Sequence, residues 1–83
     1  MGYLSREMIF NTARKGNKLT IDPDSLTSEI FETFDFEQGE PVYVVQFMVK
    51  SIRGQKMNST FVDFEYTEKG LEQANKLVKR ILG

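Results

Sequence analysis

The side chains able to do chemistry in this 83-residue sequence are carboxylates, amines, guanidinium groups and hydroxyls, because it contains no His and no Cys. That absence removes the usual general base, the usual nitrogen and sulfur metal ligands, and every His- or Cys-dependent nucleophilic arrangement. Carboxylates are plentiful, but general acid–base work needs two that differ in environment, and spacing singles out no pair. Asp22-Pro23-Asp24 has the alternate-carboxylate spacing with which a calcium loop opens. Leu26 then stands where the third ligand belongs, and no Gly occupies the required turn. Arg53-Gly54-Gln55-Lys56 holds one Gly and lacks the strand-to-helix setting of a phosphate loop. The residues predict no catalytic site, no cofactor and no metal, and so a protein that is not an enzyme.

Charge distribution is more informative than chemistry. Residues 19–49 hold Asp22, Asp24, Glu29, Glu32, Asp35, Glu37 and Glu40 with no Lys or Arg, a local charge of −7. The segments before and after each carry +3, so the chain nets only −1. Acids concentrated in this way either pair with the basic ends once the chain folds, or form a surface that attracts a basic partner or imitates a phosphate backbone. The basic residues that a nucleic acid would use are Arg14, Lys15, Lys18, Lys50, Arg53 and Lys56.

At 9.6 kDa the sequence has the length of one domain with one small core, spanning residues 1–83. The lack of Cys fits a reducing compartment, the cytoplasm. The longest uninterrupted apolar run, Val42-Tyr43-Val44-Val45, is too short for a bilayer, so no membrane partner is expected.

Five elements must position these residues. Residues 5–15 read as a helix, with Ser5 as cap, Glu7 in the first turn, Arg14 and Lys15 in the last, and Gly16 as stop. Met8, Ile9, Phe10 and Ala13 supply a narrow apolar stripe, and a hairpin around Gly16-Asn17 competes with the helix. Residues 19–22 form a short edge strand or an extended lead into Pro23. Asp22-Pro23-Asp24-Ser25 is turn chemistry, from which Asp24 or Ser25 starts one helical turn. Alternation from Glu29 predicts a strand, and residues 38–41 (Gln-Gly-Glu-Pro) a hairpin connection. Residues 42–50, apolar on both faces, predict the central strand of a three-stranded antiparallel meander. Thr60, Val62, Phe64 and Tyr66 mark the third strand. Residues 67–82 predict a helix capped by Thr67, with Leu71, Ala74, Leu77, Val78, Ile81 and Leu82 on one face. The fold class is α+β, in the order α-β-β-β-α.

One sheet face then gathers Phe34, Phe36, Tyr43, Val45, Phe47, Val49, Val62, Phe64 and Tyr66 for the C-terminal helix. The other carries Phe31, Val42, Val44, Met48 and Phe61 beside Asp35, Glu37, Asp63 and Glu65. An apolar patch of that size is expected to be covered, by the N-terminal helix or by a partner. The candidate partner-binding set is Phe31, Glu32, Asp35, Glu37, Glu40, Val44, Met48, Phe61, Asp63 and Glu65.

The element order resembles that of double-stranded-RNA-binding domains, and residues 67–74 (Thr-Glu-Lys-Gly-Leu-Glu-Gln-Ala) resemble the start of that family's last helix. The resemblance implies phosphate contacts from basic residues opening that helix, where this chain places only Lys69, between Glu68 and Glu72. The family's Gly-rich basic segment is replaced by Phe61-Val62-Asp63-Phe64-Glu65. The expected function is accordingly protein binding by a small accessory regulator or inhibitor, against a basic partner or a second copy in a homodimer. Nucleic-acid binding is the alternative.

Overall fold

A computed structural model describes residues 4–16, 21–52 and 57–83, apart from the side chains of Lys15 and Met57. The order is α1 (Arg6–Gly16), β1 (Ile21–Asp35), β2 (Glu40–Ser51), β3 (Met57–Glu65) and α2 (Glu68–Leu82), the α-β-β-β-α arrangement expected. The sheet is an antiparallel meander, β1-β2-β3, with β2 in the middle.

The helix prevails over the hairpin in the N-terminal segment. The Ser5 hydroxyl accepts the Met8 N–H at 3.1 Å, capping α1, and Ile9 and Ala13, one turn apart, are buried. Thr67 caps α2 in the same way, its hydroxyl accepting the Gly70 N–H at 3.0 Å. Gly70, Ala74, Leu77 and Ile81 recur at helical spacing as the buried stripe of α2. The Arg80 guanidinium donates to the Leu4 carbonyl at 2.9 Å and ties the start of the chain to the end of α2.

The segment around Pro23 departs from expectation. No loop and no helical turn forms there; β1 runs unbroken from Ile21, and its register against β2 shifts between Asp22 and Thr27. The turn chemistry is spent inside the strand as a bulge. The Asp22 carboxylate accepts the Asp24 N–H at 3.0 Å, and the Ser25 hydroxyl donates to the Asp22 carbonyl at 2.6 Å. That hydroxyl also accepts the Lys50 N–H at 2.7 Å, so a side chain holds the ladder where the bulge has displaced the backbone. Pro23 lacks an N–H and is tolerated because β1 is an edge strand.

Directly opposed residues share a face in an antiparallel sheet. Ile30, Val45 and Val62 form one row, and Ser28, Phe47 and Thr60 the next. Val45, Phe47 and Val49 join Ile9, Ala13, Ala74, Leu77 and Ile81 in one core, so both helices pack on the same side of the sheet. The expectation that α1 covers the opposite face is thereby corrected. The narrow stripe built on Ile9 and Ala13 is buried in that shared core. Of the residues assigned to the core face, Phe34, which is 46% exposed, Phe36 and Tyr66 fall outside the core. Phe36 lies in the β1–β2 turn and is 88% exposed, and Tyr66 follows β3 and stacks on Tyr43 with ring centroids 4.7 Å apart.

Candidate functional site

With both helices on one side, the other side of the sheet is bare among the described residues. Its rows run across the three strands as Thr33–Val42–Glu65, Phe31–Val44–Asp63, Glu29–Gln46–Phe61 and Thr27–Met48–Ser59. Asp35 opposite Glu40 closes one end, and Lys50 marks the other. Val42 and Val44 are buried beneath their neighbours, whereas Phe31 and Phe61 are 36% and 56% exposed on either flank. An apolar centre therefore lies within a border of Glu29, Asp35, Glu40, Asp63 and Glu65.

Acidity concentrates at the turn end. Asp35, Gln38, Glu40, Val42, Asp63 and Glu65 line a shallow depression of about 160 Å³. A neighbouring one of about 340 Å³ is lined by Glu40, Pro41, Glu65, Tyr66 and Thr67. Neither is an enclosed cavity of the kind that small-molecule catalysis needs. Among the described residues no three His, Cys, Asp or Glu side chains are grouped to hold a metal ion.

Eight of the ten predicted partner-binding residues share this face or its edge: Phe31, Asp35, Glu40, Val44, Met48, Phe61, Asp63 and Glu65. Glu32 does not. It opposes Tyr43 on the helix-bearing side, where its carboxylate accepts the Tyr66 hydroxyl at 3.1 Å. That bond, with the negative charge beside it, raises the Tyr66 pKa above its ordinary 10.0. Glu37 sits in the turn, two residues beyond the end of β1. Asp35 has a structural task as well, its carboxylate accepting the Glu37 and Gln38 N–H groups at 2.9 and 3.3 Å. Glu29 was not singled out by the sequence reading, although its parity with Phe31 and Asp35 places it on the same border.

Of the basic set, only Arg14 and Lys50 have described side chains, and the two stand apart. Arg14 is exposed on α1, bonded to Asn11 at 3.1 Å, and Lys50 is exposed on the opposite side of the sheet. Lys18, Arg53, Lys56 and the Lys15 side chain lie outside the described residues. Among those described, the one ion pair is Glu72 with Lys76, 3.3 Å apart within α2. There, none of the face's acids is paired with a base. Among the described residues no helix is long and apolar enough to cross a membrane. No protein-family model, curated protein or solved structure matches the chain.

Proposed function

We propose that the bare face of the sheet binds a basic segment of a partner protein, and that the chain is a non-enzymatic accessory regulator or inhibitor. The observation that carries this reading is the composition of one surface. Phe31, Met48 and Phe61 supply apolar contact around the buried Val44, and Glu29, Asp35, Glu40, Asp63 and Glu65 border it, with Lys50 the one base on this face among the described residues. Binding surfaces combine an apolar centre with a polar rim, and a rim of one sign selects a partner of the other and speeds its approach. The nucleic-acid alternative has less support, since an acidic face repels phosphate and the described basic residues Arg14 and Lys50 stand on opposite sides of the sheet.

The test is a pull-down with tagged chain at low and high salt, repeated with Glu29→Gln/Glu40→Gln/Glu65→Gln and with Met48→Lys. One protein is expected to be captured by the wild type at low salt and lost with both variants. Salt should release it, because screening shortens the reach of exposed charges from about 10 Å at 0.1 M to about 3 Å at 1 M. Capture that is indifferent to both variants, or recovery of nucleic acid in place of protein, refutes the reading.

A further inference from the structure

We propose that β3 pairs with β3 of a second copy of the chain, antiparallel about Phe61, joining two three-stranded sheets into one of six strands. The two sheet edges differ in how they are defended. β1 carries Pro23 and a bulge between Asp22 and Thr27, two devices that stop another strand from adding over that stretch and leave only residues 27–35 regular. β3 (Met-Asn-Ser-Thr-Phe-Val-Asp-Phe-Glu) has neither; it contains no Pro, Lys or Arg, and its nine-residue pairing to β2 is unbroken. Among the described residues the one backbone hydrogen bond to β3 outside its ladder with β2 comes from the Thr67 N–H to the carbonyl of Glu65, the last residue of the strand. An edge of that kind is a template for a further strand.

The sequence of β3 selects a second copy as the occupant. Phe61 is the midpoint of the strand, so a two-fold axis there pairs all nine residues with their symmetry mates. It sets Phe61 against Phe61, covering a ring that is 56% exposed in the single chain, and Asp63 against Ser59. An axis at Val62 instead opposes Phe61 to Asp63. An axis at Asp63 or Phe64 opposes acid to acid, which is unfavourable between cross-strand neighbours. A β3–β3 contact about a two-fold axis uses the same strand of both copies, so this junction joins two chains and no more. Both helix layers then lie on one side and both bare faces on the other.

Light scattering across a concentration series should show the mass rising to twice the 9.6 kDa of one chain. A mass of one chain throughout overturns the proposal. Ser59→Asp places two symmetry-related acid pairs across the junction and should weaken association roughly tenfold. Ser59→Asp/Asp63→Lys should restore it. Residues 59 and 63 of one strand lie about 13 Å apart, so restoration reads contact between copies. Since the chain has no Cys, Phe61→Cys adds a single thiol per copy, held opposite its mate at a separation that a disulfide can bridge. It should cross-link under mild oxidation, and Asp63→Cys should not. A dimer indifferent to Ser59→Asp, or Asp63→Cys linking as readily as Phe61→Cys, overturns the register. Circular dichroism confirms that each variant is folded. Glu29→Gln, on β1 and two strands from the junction, should leave the mass unchanged, which separates this proposal from partner binding.

Discussion

Replacing Gly70 with Ala should destabilise the protein, against the rule that Ala is the better helix former. On propensity alone the change gains about 1 kcal/mol within a helix. The structure reverses the sign, because Gly70 is where α2 leaves the end of β3. A Cβ there would stand 2.8 Å from the carbonyl carbon of Glu65 and closer still to its oxygen. Both are backbone atoms, and that oxygen already accepts the Thr67 N–H at 2.9 Å. Relief requires the first turn of α2 to retreat from the sheet by about an ångström, loosening Ala74 and Leu77 behind it. Overpacking of this kind costs about 1–3 kcal/mol or more, and backbone contact belongs at the upper end. Net of propensity, about 2 kcal/mol should be lost. For a domain of this size that lowers the melting temperature by roughly 10 °C. Thermal melts followed by far-ultraviolet circular dichroism measure it, with the exposed Gln73→Ala in the same helix as control, expected within about 0.5 kcal/mol of wild type. If Gly70→Ala melts at or above the wild-type temperature, the seating of α2 against Glu65 is wrong.

Two further outcomes concern hydrogen bonds outside the regular ladder. Glu32→Gln should bring the Tyr66 pKa down towards its ordinary value, seen by ultraviolet titration in a background where Tyr3 and Tyr43 are Phe; an unchanged titration refutes the pairing. In the wild type, the folded state holds the Tyr66 proton more tightly than the unfolded chain. The associated stability is therefore intact below pH 10 and is lost as pH rises through the raised folded value. Ser25→Ala should cost about 1–2 kcal/mol, because its hydroxyl joins the Asp22 carbonyl to the Lys50 N–H. A chemical-denaturation midpoint equal to wild type would mean that the bulge does not depend on that bridge.

Much of this fold is legible in the sequence, for reasons visible at particular residues. The Ser5 and Thr67 caps and the two-sided apolar run of β2 are local signals and form as read; of the α2 stripe Ala74, Leu77 and Ile81 are buried as read, whereas Leu82 is exposed. What escapes is set by partners distant in the chain. Asp22-Pro23-Asp24-Ser25 has the composition of a turn, and only the arrival of Lys50 converts it into a bulge. Gly70 reads as a weak helix residue until Glu65 stands against it. The narrow stripe of α1 does not say which side of the sheet it covers; that is set by the core it joins with Val45, Phe47 and Val49. On the candidate face, alternation places Phe31, Val44, Phe61 and Asp63 together correctly. It fails for Glu37 because the turn begins at Phe36, two residues earlier than the pattern suggests, and for Glu32 because it alternates onto the other side.

Putting both helices on one side makes β2 a strand with two independent alphabets. Its odd positions, Val45, Phe47 and Val49, are fully enclosed, so nearly any change there is a change in stability. Its even positions Gln46 and Met48 meet solvent on the bare side and can vary with little penalty to folding. Substitutions at those positions can therefore redraw what the surface recognises while the packed half stays constant. A chain of this size gains in this way a route to new specificity that does not pass through unfolded intermediates.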